Sequence, residues 1–388
     1  MPSLVVHPVP SSEVPQGADR RIVALDGVRG LMTILVVVSH YFAEVPSGIT
    51  ALMHGRLAVE MFFVLSGFLV GTLILDKLHN DNFFLVFYVR RVCRTLPIYV
   101  VSVLLVAAIL SLCHAAWAQD PVTFPVWSYL TFTQTFFMAN TGSLGAHWLA
   151  PTWTLAVEEH FYLLAPLTFF LVPRRHLAKV LIAVALGAVS YRAAVQYLNV
   201  GNAIAVNVLL PGIADILVAG LLAALAAKTE AVRQGRFDYA LRVAPVALLL
   251  TVAYLGIFAG RTSPGFVIFS PLLSASACAL FLLAIVRNAP EAARFHPPVL
   301  RFFGRTSYAV YLTHLPVLGL MHGLILNDTP DIGSVSQWLV TIAALPLCVL
   351  VGWLLTKWVE EPITRYGRTW VWSNRPRAAR GDVVAETT

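Results

Sequence analysis

What most constrains this chain is a series of apolar runs, each about as long as a bilayer is thick. A hydrocarbon core of ~30 Å takes about 20 apolar residues in a helix. Runs of that kind fall at roughly 29–46, 57–76, 96–114, 154–172, 178–198, 204–227, 239–260, 264–286, 306–327 and 336–358. Short turns rich in Pro, Gly or charge separate them. The expectation is an all-α, polytopic transmembrane bundle of about ten spans. The composition, 58% hydrophobic and 12% charged, excludes an ordinary soluble domain. The four cysteines, Cys93, Cys113, Cys278 and Cys348, lie in or beside apolar runs and form no CxxC pair. They read as small buried residues rather than as a disulfide framework, and no metal-ligand spacing stands out.

Charge placement tests the span count. With a cytoplasmic N-terminus, every second loop should be rich in Lys and Arg. The expected inner segments hold Arg20 and Arg21; Lys77, Arg90, Arg91 and Arg94; Arg174, Arg175 and Lys179; Lys228, Arg233, Arg236 and Arg242; and Arg287, Arg294, Arg301 and Arg305. Lys357, Arg365 and Arg368 lead into a basic tail, so both termini are expected in the cytoplasm. The long outer stretch 115–152 has neither Lys nor Arg; the outer exceptions are Arg56 and Arg261. The net charge of +7 thus follows membrane orientation, and nucleic-acid binding is excluded as its explanation. Residues 1–20 read as a flexible cytoplasmic tail without a signal peptide, 21–370 as the transmembrane domain and 371–388 as a basic tail. The aromatic residues of 115–152, Trp117, Trp127 and Trp148 among them, fit either interfacial anchoring or the wall of an acceptor groove.

Ionisable side chains inside a span are costly, and each is a functional hypothesis by default. Arg29 and His40 are 11 residues apart in the first run, almost three helical turns, so both leave one face about 16 Å apart along the axis. A positive flank and an interfacial histidine explain each alone; the pair on one face fits a functional constellation equally well. Glu60 lies early in the second run, which Ser66-Gly67 interrupts; close helix packing is the other reading of those small residues. Arg91 and Arg94 share a helical face before the third run, and Arg90 stands beside them, with Pro97 expected in the first turn of a helix. Guanidinium forks at that spacing suit phosphate oxygens, and lipid headgroups are the alternative. Glu158, Glu159 and His160 enter the fourth run together, and at least one is expected to face a polar cavity. Tyr308, Tyr311 and His314 recur at helical spacing in the ninth, where His314 needs a partner, and Arg192 in the fifth raises the same question.

These motifs resemble the acyltransferase 3 family of membrane O-acyltransferases. The likeness rests on LDGVRG at 25–30, the Arg29–His40 spacing, FFVLSGFL at 62–69, RRVCR at 90–94, WTLAVEEHFYLL at 153–164, SYAVYLTHLPV at 307–317 and VEEPITR at 359–365. The resemblance implies transfer of an acyl group, acetyl by default, from cytoplasmic acetyl-CoA to a hydroxyl of a cell-surface or exported carbohydrate: exopolysaccharide, O-antigen or a lipo-oligosaccharide. It implies a bacterial cytoplasmic (inner) membrane and no metal. On this reading His40 is the general base, Glu158 sets its tautomer or tunes its pKa, and Arg29, the other catalytic candidate, anchors the donor at the cytoplasmic end. Arg90, Arg91 and Arg94 hold the CoA phosphates. Glu60, Trp153, Tyr311 and His314 bind the acceptor, with Glu60 standing where the family often has Asp. The rival reading is a polytopic transporter or glycolipid flippase, which buried Arg, Glu and His also fit. Dependence on acyl-CoA separates the two.

Overall fold

The computed structural model describes residues 16–198, 201–287 and 289–373, and among these the regular structure is entirely helical. The principal helices are α1 (Gln16–Phe42), α2 (Gly55–Lys77), α3 (Phe83–Leu112), α4 (Thr152–Leu171), α5 (Arg174–Leu198), α6 (Leu210–Ala227), α7 (Asp238–Tyr254), α8 (Pro264–Arg287), α9 (Pro298–Leu326), α10 (Val335–Leu355) and α11 (Glu361–Thr369). Most of each expected tail, residues 1–15 and 374–388, lies outside the described residues; 16–20 form the first turns of α1.

Nine segments among the described residues are long and apolar enough to cross a membrane, one fewer than the ten expected. The missing one is α4. It is a helix of 20 residues, but Glu158, Glu159 and His160 at its middle make it too polar to count by hydropathy. A second expectation also shifts. Pro97 lies inside α3 rather than in a first turn, because the basic segment from Phe83 and the apolar run after it form one continuous helix. Local signals end the other helices: Pro298 follows Pro297 at the start of α9, Asn327 closes it at φ 53°, and Ser334 with Gln337 forms a capping box on α10.

Small residues draw the central helices together, since helices in lipid associate through close packing rather than the hydrophobic effect. A Cβ on Gly30 of α1 would strike the backbone of Leu300 and Gly304 in α9, and one on Gly304 would strike Asp26. Gly67 of α2 and Gly220 of α6 meet in the same way, so the Ser66-Gly67 pair is a packing site in a continuous helix rather than a break. Arg192 finds its partner in this framework. It makes a two-pronged ion pair with Asp215 of α6, at 2.9 and 2.6 Å, and also donates to the carbonyls of Gly212 and Ile268. Both side chains are within 1% of complete burial, so the pair is a bolt between α5, α6 and α8.

The stretch between α3 and α4 is a packed cap built on the short helices Val126–Leu130 and Gln134–Thr141. Trp117 and Trp148 stack at 6.2 Å and lie against Gly323 and Gly319 of α9, while Trp127 and Phe136 are exposed at the bundle surface. Interfacial anchoring fits that exposed pair. The four cysteines are free, and Cys93, Cys278 and Cys348 are buried.

Candidate active site

A cavity of about 490 Å³ opens at the end of the bundle where α1 and α3 carry their arginines. That is the size range of small-molecule sites. Arg29, Arg90, Arg91 and Arg94 line its mouth together with Arg368 of α11. Apolar walls from α2, including Val59, Phe62, Phe63 and Leu69, continue inwards. Thr154, Glu158, Tyr308 and Tyr311 border it as well.

The arginines are not equivalent. Arg29 is paired with Asp26 at 3.0 Å, one turn before it on α1. Arg90 donates twice to the Trp370 carbonyl, at 2.9 and 2.6 Å, and its guanidinium lies 5.1 Å from the Trp372 ring centroid. It clamps the segment after α11 onto the start of α3. Arg91 and Arg94 have no carboxylate within salt-bridge distance among the described residues. The Arg91 guanidinium instead lies 3.7 Å from the centroid of the Tyr162 ring. Arg94 keeps exposed surface on the cavity, within electrostatic reach of Arg29, Arg91 and Glu360. Guanidinium groups with no carboxylate in direct contact, on a partly apolar cavity, fit an anionic ligand, phosphate above all.

His40 sits at the far end of α1, beside His314 of α9. His40 Nδ1 and His314 Nε2 are 2.9 Å apart, and their rings lie 4.9 Å apart. His314 is fully buried, and its Nδ1 lies 2.6 Å from the Tyr311 carbonyl oxygen. A carbonyl only accepts, so in neutral His314 the hydrogen is on Nδ1 and Nε2 is an acceptor. His40 must then donate from Nδ1, which leaves the lone pair on its Nε2. That nitrogen is 3.4 Å from Glu44 Oε2. Glu44 is held in turn by the Ser39 hydroxyl, 2.8 Å from Oε1, and His147 is near enough to interact electrostatically with His40. The cavity stops short of this pair. Tyr311 is the link: its side chain borders the cavity and its ring lies 5.6 Å from that of His314. Its hydroxyl donates to Pro151 O at 3.1 Å and accepts from Thr154 at 3.0 Å.

Several sequence expectations change here. Glu158 accepts from Ser66 at 2.6 Å and Tyr162 at 3.0 Å on the cavity wall, so the His40 tautomer is set by His314 and not by Glu158. Glu60 does not border the cavity. It is buried, accepts from Arg56 at 2.8 Å and from Ser274, and ties α2 to α8. This also accounts for Arg56 as an outer cation. Trp153 stands behind the wall, edge-on to Phe63 at 5.8 Å. No residue of 115–152 lines this arginine-mouthed cavity. His314, by contrast, gains the partner it needed. Ser66, Tyr162, Arg368 and Glu44 were missed as site residues. Tyr162 and Glu44 each lie four residues beyond a residue already singled out, Glu158 and His40, and that spacing is the signal that was available. No group of His, Cys, Asp and Glu among the described residues is arranged to hold a metal ion.

Residues 22–357 match the acyltransferase 3 model, an acyltransferase domain. The chain belongs to the acyltransferase 3 family. It is 27% identical over 384 residues to the acyltransferase MdmB of Streptomyces mycarofaciens, covering 89% of this chain and 92% of that protein. It is 22% identical over 391 residues to the peptidoglycan O-acetyltransferase OatA of Listeria monocytogenes, covering 91% of this chain and 59% of that one. With the O-acetyltransferase OatA of Staphylococcus aureus the identity is 25% over 376 residues, covering 90% and 58%. The chain thus spans about six tenths of the length of the two OatA proteins. No solved structure matches. This acyltransferase 3 protein is therefore a multi-pass membrane enzyme of the acyltransferase class. The matched region includes Arg29, His40, Arg91, Arg94 and Glu158 but ends before Arg368 and Trp372, which the fold returns to the cavity mouth.

Proposed function

We propose that this protein moves an acetyl group from acetyl-CoA to a hydroxyl of a cell-surface or exported carbohydrate. The observation that carries this reading is the cavity itself: Arg91 and Arg94 at its mouth without a salt-bridge partner among the described residues, apolar walls along it, and Tyr311 joining its lining to the His314–His40 pair. Arg91, Arg94, Arg29 and Arg368 would hold the phosphates of the donor, and the slim pantetheine arm would follow the wall of α2 inwards. Glu158, with Ser66 and Tyr162, would position the arm by hydrogen bonds. The carbohydrate acceptor is supported by the OatA relatives, one of which is a peptidoglycan O-acetyltransferase. The charge map supports an orientation with the arginine mouth and both termini facing the cytoplasm, and the family resemblance supports a bacterial inner membrane.

In the chemical step the acceptor hydroxyl gives its proton to His40 Nε2 as its oxygen attacks the thioester carbonyl. The tetrahedral adduct expels the CoA thiolate, which recovers the proton from the same nitrogen. An ester and a free thiol result. A neutral imidazole with one free lone pair is suited to both halves of that exchange.

Purified protein in detergent or nanodiscs, given acetyl-CoA and an acceptor glycan, tests this by release of free thiol. His40→Ala should lower turnover by about 10²-fold or more. Arg91→Ala and Arg94→Ala should each raise the acetyl-CoA requirement about 10-fold or more. Unchanged turnover in His40→Ala removes the base, and an unchanged donor requirement in both arginine variants removes the donor site.

A further inference from the structure

Glu44 has no place in the motifs that mark this chain as an acyltransferase, yet it is the acidic group nearest the free nitrogen of His40. It lies two residues past the end of α1, where the chain turns towards α2. Its position is built rather than incidental. Its backbone N–H donates to the Ser39 carbonyl at 2.9 Å, and one carboxylate oxygen accepts from the Ser39 hydroxyl at 2.8 Å. Gly55, the first residue of α2, packs against both, and a Cβ there would meet the Ser39 hydroxyl at 2.9 Å and Glu44 Oε1 at 3.1 Å. The second oxygen is thereby left facing His40 Nε2. The carboxylate side chain is 38% exposed and the His40 side chain 20%, whereas His314 on the other edge of the ring is fully buried. His40 is thus gripped from two sides by groups of opposite character: a buried neutral acceptor at Nδ1 and a solvent-facing anion at Nε2.

We infer that Glu44 and His314 act as a pair of positioning residues, His314 fixing the tautomer of His40 and Glu44 stabilising the imidazolium that forms when its Nε2 takes the acceptor proton. This inference rests on His40 being the base. The fully buried His314 accepts at Nε2 as long as its Nδ1–H donates to the Tyr311 carbonyl, and that carbonyl is fixed within α9. Glu44 remains a carboxylate throughout and exchanges no proton. Its charge compensates the imidazolium while the tetrahedral adduct exists. His147, on the cap before α4, is the remaining titratable group close to His40; it adds no negative charge, so the compensation falls to Glu44. The 3.4 Å gap at Nε2 is wider than a strong hydrogen bond and lets an acceptor hydroxyl approach that nitrogen from the exposed, Glu44 side. Neither Glu44 nor His40 lines the donor cavity, which reaches the pair through Tyr311, its ring 5.6 Å from that of His314.

Glu44→Gln removes the charge and keeps the shape. Turnover should fall roughly 10- to 100-fold with the acetyl-CoA KM unchanged, as when an orienting partner of a working histidine is lost. The acid limb of the pH–rate profile should also move to lower pH, because the imidazolium loses its anion. Glu44→Asp should recover part of the rate. His314→Phe removes the acceptor at Nδ1 and should lower turnover by a similar factor, while His314→Gln, whose amide oxygen can accept from His40, should recover part of it. If His314→Phe does not fold, the Glu44 series and His314→Gln still decide the matter. Glu44→Gln with both turnover and pH profile unchanged, or His314→Gln no better than a misfolded protein while His40→Ala folds normally, overturns the inference. His40→Ala separates the two levels: if it is fully active the base reading itself fails, and if it is inactive while Glu44→Gln is normal in rate and profile, this inference alone fails.

Discussion

His40 and Arg94 both carry the polar chemistry of a membrane interior, but they are built for different tasks. His40 is exposed by a fifth on its side chain and locked by ring nitrogens, which suits proton transfer. Arg94 presents a guanidinium to the cavity with no salt-bridge partner among the described residues, which suits a phosphate. Arg90, next in sequence to Arg91, does neither, since its donors go to the Trp370 carbonyl. Arg90→Ala is therefore expected to loosen residues 370–373, seen as faster amide exchange there and at Asn82, whose side chain bonds Val371 and Ser373. Its donor requirement should change less than that of Arg94→Ala. The Arg29–His40 spacing was legible because helix geometry alone puts the two on one face. The partners were not: His314 is 274 residues from His40, and no local pattern names the mate of a buried histidine. Glu60 misled for the same reason. Its partner Arg56 was in view but read as a stray outer cation, and Ser274 is supplied by a helix distant in sequence.

At the scale of elements, the apolar runs located the helices well, since a span leaves a signal about 20 residues long. The fourth run, 154–172, found α4, although Glu158, Glu159 and His160 leave that helix more polar than the other spans; of the three, Glu158 borders the cavity. Hydropathy misplaced Pro97, because a run of apolar residues does not reveal that the helix began some turns earlier, at Phe83. Arg192 was visible as an oddity in α5, and its role needed the third dimension. The ion pair with Asp215 is buried and satisfied on every side, so Asp215→Ala leaves a guanidinium without compensation in the bundle. Removing one partner of such a pair costs about 3–5 kcal/mol. The variant should lose thermal stability in detergent by several degrees or fail to accumulate, and Asp215→Asn, which keeps an acceptor, should lose less. Equal melting curves for wild type and Asp215→Ala would show that the bolt bears no weight.

The whole molecule separates its two functions along one axis. The arginines proposed to hold phosphate gather where α1 and α3 meet α11, and the histidine pair lies farther along α1 and α9, with Tyr311 between. Close glycine crossings hold that axis, since α1 can approach α9 only while Gly30 and Gly304 lack side chains. Family membership was readable from ordered motifs, whereas the cavity was not, because Arg29, Arg91, Glu158, Tyr311 and Arg368 come from five helices. The division of labour is tested most directly by equilibrium binding of CoA to purified wild-type, His40→Ala and Arg94→Ala proteins, measured beside turnover. The account predicts that His40→Ala binds CoA like wild type while turning over at least about 10²-fold more slowly, and that Arg94→Ala binds about 10-fold or more weakly. CoA binding lost in His40→Ala but unchanged in Arg94→Ala would contradict it.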